Sequence, residues 1–284
     1  MKIEILPIYL YLNDYVRQLE SGASDASALW EQYAVAPWWK RLCRYAPMDL
    51  ADRKPKCIDN AAQLKQQLKL LQGLDLSKLQ AQFERAAAAL PNFDEDPIPV
   101  ALYPLGDSSQ VVREKQNGVI GCSLFGSIMI CVNPFADDFA AWIPYVFAHE
   151  YHHTVWGTYW YALHAGKLDN CFLSALIYEG QADSFALSLY PHLRPQWLFG
   201  LSEQTLAQLW GNVYGALAER KDVEYVKYMF DRDEIPWCAG YAVGYWFFDR
   251  LRRQFPGRSW VEWIQSRPLA LLDNQTSVFH ADRQ

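Results

Sequence analysis

The chain has little charge for its size. Charged residues make up 20% of it against 51% hydrophobic, which excludes an intrinsically disordered protein. It has no positive excess: 26 Lys and Arg face 32 Asp and Glu, a net charge of −6 with an isoelectric point near 5.5. No basic field draws a phosphate backbone, so nucleic acid is not an expected partner. It lacks a C-x-x-C pair. The six cysteines, at 43, 57, 122, 131, 171 and 238, are scattered through 284 residues, long enough to bury a core without staples. Free thiols and a cytoplasmic setting are the expectation. It also lacks a long hydrophobic run. Residues 116–136 carry no charge, but three glycines and Pro134 interrupt them, and Val119 to Val132 falls short of the ~20 residues of a spanning helix. Strand pairs are expected there and a membrane partner is not. The stretch from Met1 to Asn13 has one Lys, an early Glu4 and Pro7, without a small-residue cleavage site, and is not read as a signal peptide. No repeat or low-complexity tract stands out.

Aromatic residues are plentiful, with 12 Trp and 17 Tyr among 15% in all, enough to fill a core and line a cleft. Residues 1–95 read as a helical N-terminal region. Leu64, Leu68 and Leu71 recur at helical spacing, as do Leu79, Phe83 and Ala87; Gly73 separates the two sets, and Asp75 or Ser77 suits a cap. The acidic, proline-rich segment Pro91 to Pro99 marks a domain edge, so that 96–284 reads as the second region. Strand signals follow at Ile98 to Tyr103 and Gly118 to Val132, the latter with a break near Gly126. From Phe139 onward helices dominate. The expected fold class is α+β, mostly helical, with a small β-sheet.

Three of the six histidines lie in His149-Glu150-Tyr151-His152-His153, an H-E-x-x-H pattern. On a helix His149 and His153 stand one above the other, ~40° apart, a spacing at which two imidazoles can hold one Zn²⁺. Glu150 lies ~60° further round and can reach a water without ligating. The rest of the helix, from Ile143 to Trp156, is apolar nearly all round, with Pro144 suited to its first turn and Gly157 to its end. Such a helix is buried, and buried histidines and a glutamate need partners, which a metal provides. The competing reading is a network of core histidines. His152 fits packing better than ligation, and His164 and His192 read as ordinary residues.

A third ligand is expected at Glu179, in Leu-Ile-Tyr-Glu-Gly-Gln-Ala-Asp from Leu176 to Asp183. On a helix Glu179, Ala182, Asp183 and Ala186 share a face flanked by small residues, and Gly180, Ala182 and Ala186 would admit the histidine-bearing helix closely. Asp183, one turn on, is suited to accept the free N–H of a ligating imidazole, His149 in this reading. The alternative is a solvated acidic face.

H-E-x-x-H followed by a helix with Glu-x-x-x-Asp resembles the gluzincin metallopeptidases. Together with EGQAD and the later PWCAGYAVGY it is most similar to a bacterial family of predicted zinc-dependent proteases, over roughly residues 98 to 280. That resemblance implies a zincin-like core, zinc as cofactor on His149, His153 and Glu179, Glu150 as catalytic base, and Asp183 behind the ligands. Two departures stand out. Tyr178 replaces the Asn that precedes the ligand Glu in thermolysin-like enzymes, and the Gly-x-Met-Glu-Asn motif of the aminopeptidases is absent.

The expected function is hydrolysis of peptide bonds by zinc-activated water, with Glu150 as general base, on a peptide or protein substrate, and more specifically as an endopeptidase. Tyr241, with Tyr245 second, is the candidate phenol for the developing negative charge, against a plain packing role. The run Arg250, Arg252, Arg253 reads as a solvated helix end. Ser127 to Val132 is either an edge strand available to substrate or an interior strand. Two other functions compete: a catalytically silent zinc-containing scaffold, and a membrane-embedded zinc protease.

Overall fold

The computed structural model describes residues 2–106, 110–230 and 235–272. They form two compact units, the first ending at Val155 and the second beginning at Trp156. The expected edge at Pro91 to Pro99 lies inside the first unit, just before a central strand.

The first unit holds a four-stranded mixed sheet in the order β1-β2-β4-β3, from β1 (Ile3–Pro7), β2 (Ile98–Pro104), β3 (Val119–Ser123) and β4 (Ile128–Val132). β1 and β4 flank β2 in parallel, and β3 pairs with β4 antiparallel, Gly121 opposite Ile130. β2 and β4 are interior and buried at every residue, which is why they read as continuous apolar runs. β4 is thus the interior form of the Ser127 to Val132 segment, and the edge beside it is β3. The break falls where expected, with Phe125 at φ 54° and Gly126 at φ 100°. β1 adds one strand to the otherwise helical N-terminal region, residues 1–95. Five residues cannot declare a strand by themselves, and β1 is specified by its ladder to β2, in which Ile3 pairs with Ile98.

Helices α1 (Asn13–Glu20), α2 (Ala61–Leu71) and α3 (Leu76–Ala89) follow the apolar periodicity of the N-terminal region. Asp75 caps α3, its carboxylate accepting from the Lys78 N–H at 3.0 Å. The last inward residue of that helix is Ala86 rather than Ala87. α4 (Phe139–Gly157) carries the histidines. The ring of Phe83 stacks on Phe147 at 3.9 Å, and the Tyr151 hydroxyl donates to the Leu90 carbonyl at 2.8 Å. These contacts fix the rotation of α4 about its axis within the unit. Pro144 is not in the first turn, as expected, but inside the helix, which starts at Phe139. There the missing N–H costs the bond to the Ala140 carbonyl, a loss the buried flanks of α4 outweigh.

The second unit centres on α5 (Phe172–Leu189) and the C-terminal helix (Ala239–Gln254). Between them in sequence lies a one-turn helix, α6 (Tyr225–Met229), so the C-terminal helix is α7. Leu176, Met229, Ala242, Val243 and Phe247 belong to one buried cluster. Gly180 of α5 and Gly244 of α7 face each other. A Cβ on Gly180 would meet the Gly244 carbonyl and come within 2.9 Å of the Tyr245 nitrogen. This corrects the expectation for Gly180, whose small size serves the approach of α7. At the end of α7, Arg252 and Arg253 lie 3.5 and 2.7 Å from Asp249, and Arg250 lies 2.9 Å from Glu203. These pairs fit a helix C-terminus. All six cysteines are free thiols. Among the described residues, no helix is long and apolar enough to cross a membrane.

Candidate metal centre

α4 brings His149 and His153 onto one face, their ring centroids 4.5 Å apart and their planes 86° apart. His153 is buried and His149 half-buried. One nitrogen of each imidazole and one carboxylate oxygen of Glu179 all lie within 4.8 Å of one another. Two imidazole nitrogens and a carboxylate form a donor set suited to zinc, and the three groups are close enough to share an ion. The cluster could hold a metal. His152 is fully buried, its ring 6.2 Å from that of His153. His164 is held by the carbonyl of Tyr159 at 3.1 Å, and its ring lies 4.1 Å from that of the same residue. His192 is exposed.

Glu150, next to the first histidine, is 8% exposed. It lies against β3 at a position where only glycine leaves space. A Cβ on Gly121 would collide with the Glu150 Cγ and approach Oε1 and the Val146 Cγ1 to 2.7 Å. The missing side chain on the edge strand is therefore the cradle of the carboxylate. Beside it, burial and then the Glu150 charge push the Cys122 thiol up, and Arg53 donates to the Cys122 Sγ at 3.3 Å. The next strand residue, Ser123, shares a hydrogen bond of 3.0 Å with Thr154, whose hydroxyl also donates to the Glu150 carbonyl at 3.1 Å. β3 is thus tied to α4 one turn beyond the glutamate.

Glu179 and Asp183 sit one turn apart on α5, both buried. The Trp197 indole donates to the Asp183 Oδ1 at 3.3 Å, and the Tyr225 hydroxyl donates to the Glu179 Oε1 at 3.3 Å. Neither Trp197 nor Tyr225 belongs to a sequence motif, and no periodicity singles them out. Tyr241 is half-buried on α7, where burial first and then the Glu179 carboxylate hold its phenol well above 10. Tyr245, the second candidate, lines a different part of the unit. Its ring is 5.7 Å from Phe199, and it borders a cavity with Trp246, Asp249 and Arg253. Of the two tyrosines, Tyr241 is the one in the field of Glu179.

No curated protein and no solved structure matches the chain. The family described as predicted Zn-dependent proteases (DUF2268) matches residues 77–271, from the first turn of α3 to beyond α7, and the chain belongs to that family.

Proposed function

We propose that the protein is a zinc-dependent peptidase of the gluzincin type, acting as an endopeptidase on peptide or protein substrates in the cytoplasm. The observation that carries this reading is the convergence of His149, His153 and Glu179 to within 4.8 Å, with a buried glutamate as the residue after the first histidine. His149, His153 and Glu179 would hold the ion. Zinc in such a site polarises a carbonyl and brings the pKa of water toward ~7. Glu150 accepts the proton of the attacking water and delivers it to the leaving nitrogen, so one carboxylate serves as base and then as acid. Burial beneath Gly121 keeps that carboxylate in one orientation, the condition under which proton transfer is fast.

Asp183, anchored by the Trp197 indole, accepts the second N–H of His149 and fixes its tautomer. Tyr241 donates its phenolic hydrogen to the carbonyl oxygen as negative charge develops there. The outer edge of β3, which among the described residues pairs only with β4, binds an extended substrate by main-chain hydrogen bonds, next to the glutamate it cradles. The six free thiols support a reducing compartment. A silent scaffold would have no use for a glutamate seated in a glycine cradle, so the peptidase reading is the stronger.

The test has two arms. Purified protein loaded with zinc is given a broad peptide library, and the products are read by mass spectrometry. The wild type should cleave, and Glu150→Gln should retain its zinc while losing activity by ~10²-fold or more. Undiminished cleavage by Glu150→Gln would end the role of that residue. His153→Ala and Glu179→Ala should each lower the zinc bound per chain, measured by inductively coupled plasma mass spectrometry; unchanged stoichiometry would remove that residue from the ligand set.

A further inference from the structure

The hydrogen bond from Tyr225 to Glu179 comes from a segment whose position is fixed independently of the metal cluster. α6 is one turn long and could not hold a place by itself. It is pinned at its far end. Met229 is fully buried in the core cluster, and the Tyr214 hydroxyl donates to the Tyr228 carbonyl at 2.6 Å. Gly240 of α7 lets the turn approach. A Cβ there would stand 2.6 Å from the Met229 Cα and 2.7 Å from the Tyr228 carbonyl oxygen. The residue after α6, Phe230, accepts a backbone bond from Cys238, itself held at φ 55° just before α7. The rings of Tyr225, Phe230 and Tyr241 then run in series at 6.1 and 5.4 Å. At the outer end of this anchored turn the Tyr225 side chain, on a residue still 39% exposed, reaches the carboxylate at 3.3 Å.

A carboxylate on a helix turns about its own bonds, and a ligand that must meet two imidazoles gains from having one oxygen already oriented. We infer that Tyr225 is a positioning residue for Glu179, holding the carboxylate through Oε1 in the orientation in which it joins His149 and His153. The inference rests on the metal-site reading above and adds a residue to it. Hydrogen bonds of this kind to a ligating group are worth ~10–100-fold in metal affinity.

The experiment measures zinc affinity of the full-length protein by competition with a chromophoric chelator, together with the thermal midpoint of the metal-free form. Tyr225→Phe removes one oxygen and keeps the ring on Phe230. It should weaken zinc binding about tenfold or more and leave the metal-free midpoint within a degree of wild type. Phe230→Leu, which leaves the hydroxyl in place, should hold zinc nearly as tightly as wild type. Equal affinity in Tyr225→Phe and wild type would overturn the inference while leaving the metal site intact. A loss of metal-free stability matching the loss of affinity would overturn it too, by making Tyr225 a packing residue. If the wild type binds no more zinc than Glu179→Ala, the metal-site reading itself fails and the inference goes with it.

Discussion

Gly121→Ala is the smallest change that should disable the site without touching a ligand. The added methyl would stand 2.7 Å from both the Glu150 Oε1 and the Val146 Cγ1. Carbon contacts are comfortable at about 3.5–4.0 Å, so roughly 1 Å must be recovered. Val146 is β-branched and stiff on its helix, so the longer glutamate side chain is the group that the methyl must displace. Overpacking of this kind costs about 1–3 kcal/mol. At about 2–4 °C per kcal/mol for a chain of this size, the melting temperature should fall by several degrees. Displacing a proton-transfer group by about 1 Å should cost on the order of 10²-fold in kcat. Zinc content should stay at wild-type level, because the nearest neighbours of the methyl are Glu150 and Val146. The decisive assay is a double-mutant cycle in urea denaturation. In a Glu150→Ala background the collision with the carboxylate is gone, and Gly121→Ala should cost at least about 0.5 kcal/mol less than in wild type. Additive costs together with full hydrolytic activity in Gly121→Ala would refute the cradle.

Two further outcomes are expected. Gly180→Ala drives a methyl into the Gly244 carbonyl, a backbone group that cannot rotate aside, so the loss should lie at the upper end of the overpacking range, about 3 kcal/mol, read as a lowered urea midpoint; a wild-type midpoint would show that α5 and α7 separate freely. Burial pushes the Cys131 thiol up to about 12. The folded state thus keeps a proton that the unfolded state sheds near 9, and the stability this provides is complete below that pH and drains away as pH climbs toward the folded value. The slope approaches ~1.4 kcal/mol per pH unit. Urea midpoints at pH 8, 9 and 10 should fall faster for wild type than for Cys131→Ala, and parallel slopes would contradict the burial argument.

The residues legible in the sequence were those whose spacing is local. His149, Glu150 and His153 occupy one turn of helix, so an i, i+4 rule was enough to stack the rings that the structure places 4.5 Å apart. Glu179 and Asp183 share a helical face within eight residues, and the structure buries both on α5. β2, β3 and β4 announced themselves by apolar runs and a turn at Gly126. What escaped were contacts made at a distance. β1 exists because Ile3 meets Ile98, and nothing within IEILP says so. Tyr225 stands among Lys, Asp and Glu in KDVEYVKY, a stretch with no apolar period, and gains its meaning only from a carboxylate 46 residues earlier. Trp197 likewise is one tryptophan in twelve until Asp183 is seen beside it.

Gly180 shows why composition misleads even where it is noticed. A small residue beside a candidate ligand says that some chain comes close and leaves open which one. In the first unit Gly121 yields its space to Glu150; in the second, Gly180 yields to α7 and Gly240 to α6. Each of the three therefore sets the position of a segment to which the proposal gives a role: Glu150, the helix bearing Tyr241, and the turn bearing Tyr225. None has a functional group. If the chemistry rests on these approaches, alanine at 121 and 240 should impair the site by different routes. Gly121→Ala should lower turnover with zinc retained. Gly240→Ala, which pushes α6 and Tyr225 outward, should weaken zinc binding first. The two variants, compared by chelator competition and by hydrolysis, should separate along those lines. If both lose zinc affinity to the same degree, the glycines act through general stability and the division of labour is wrong.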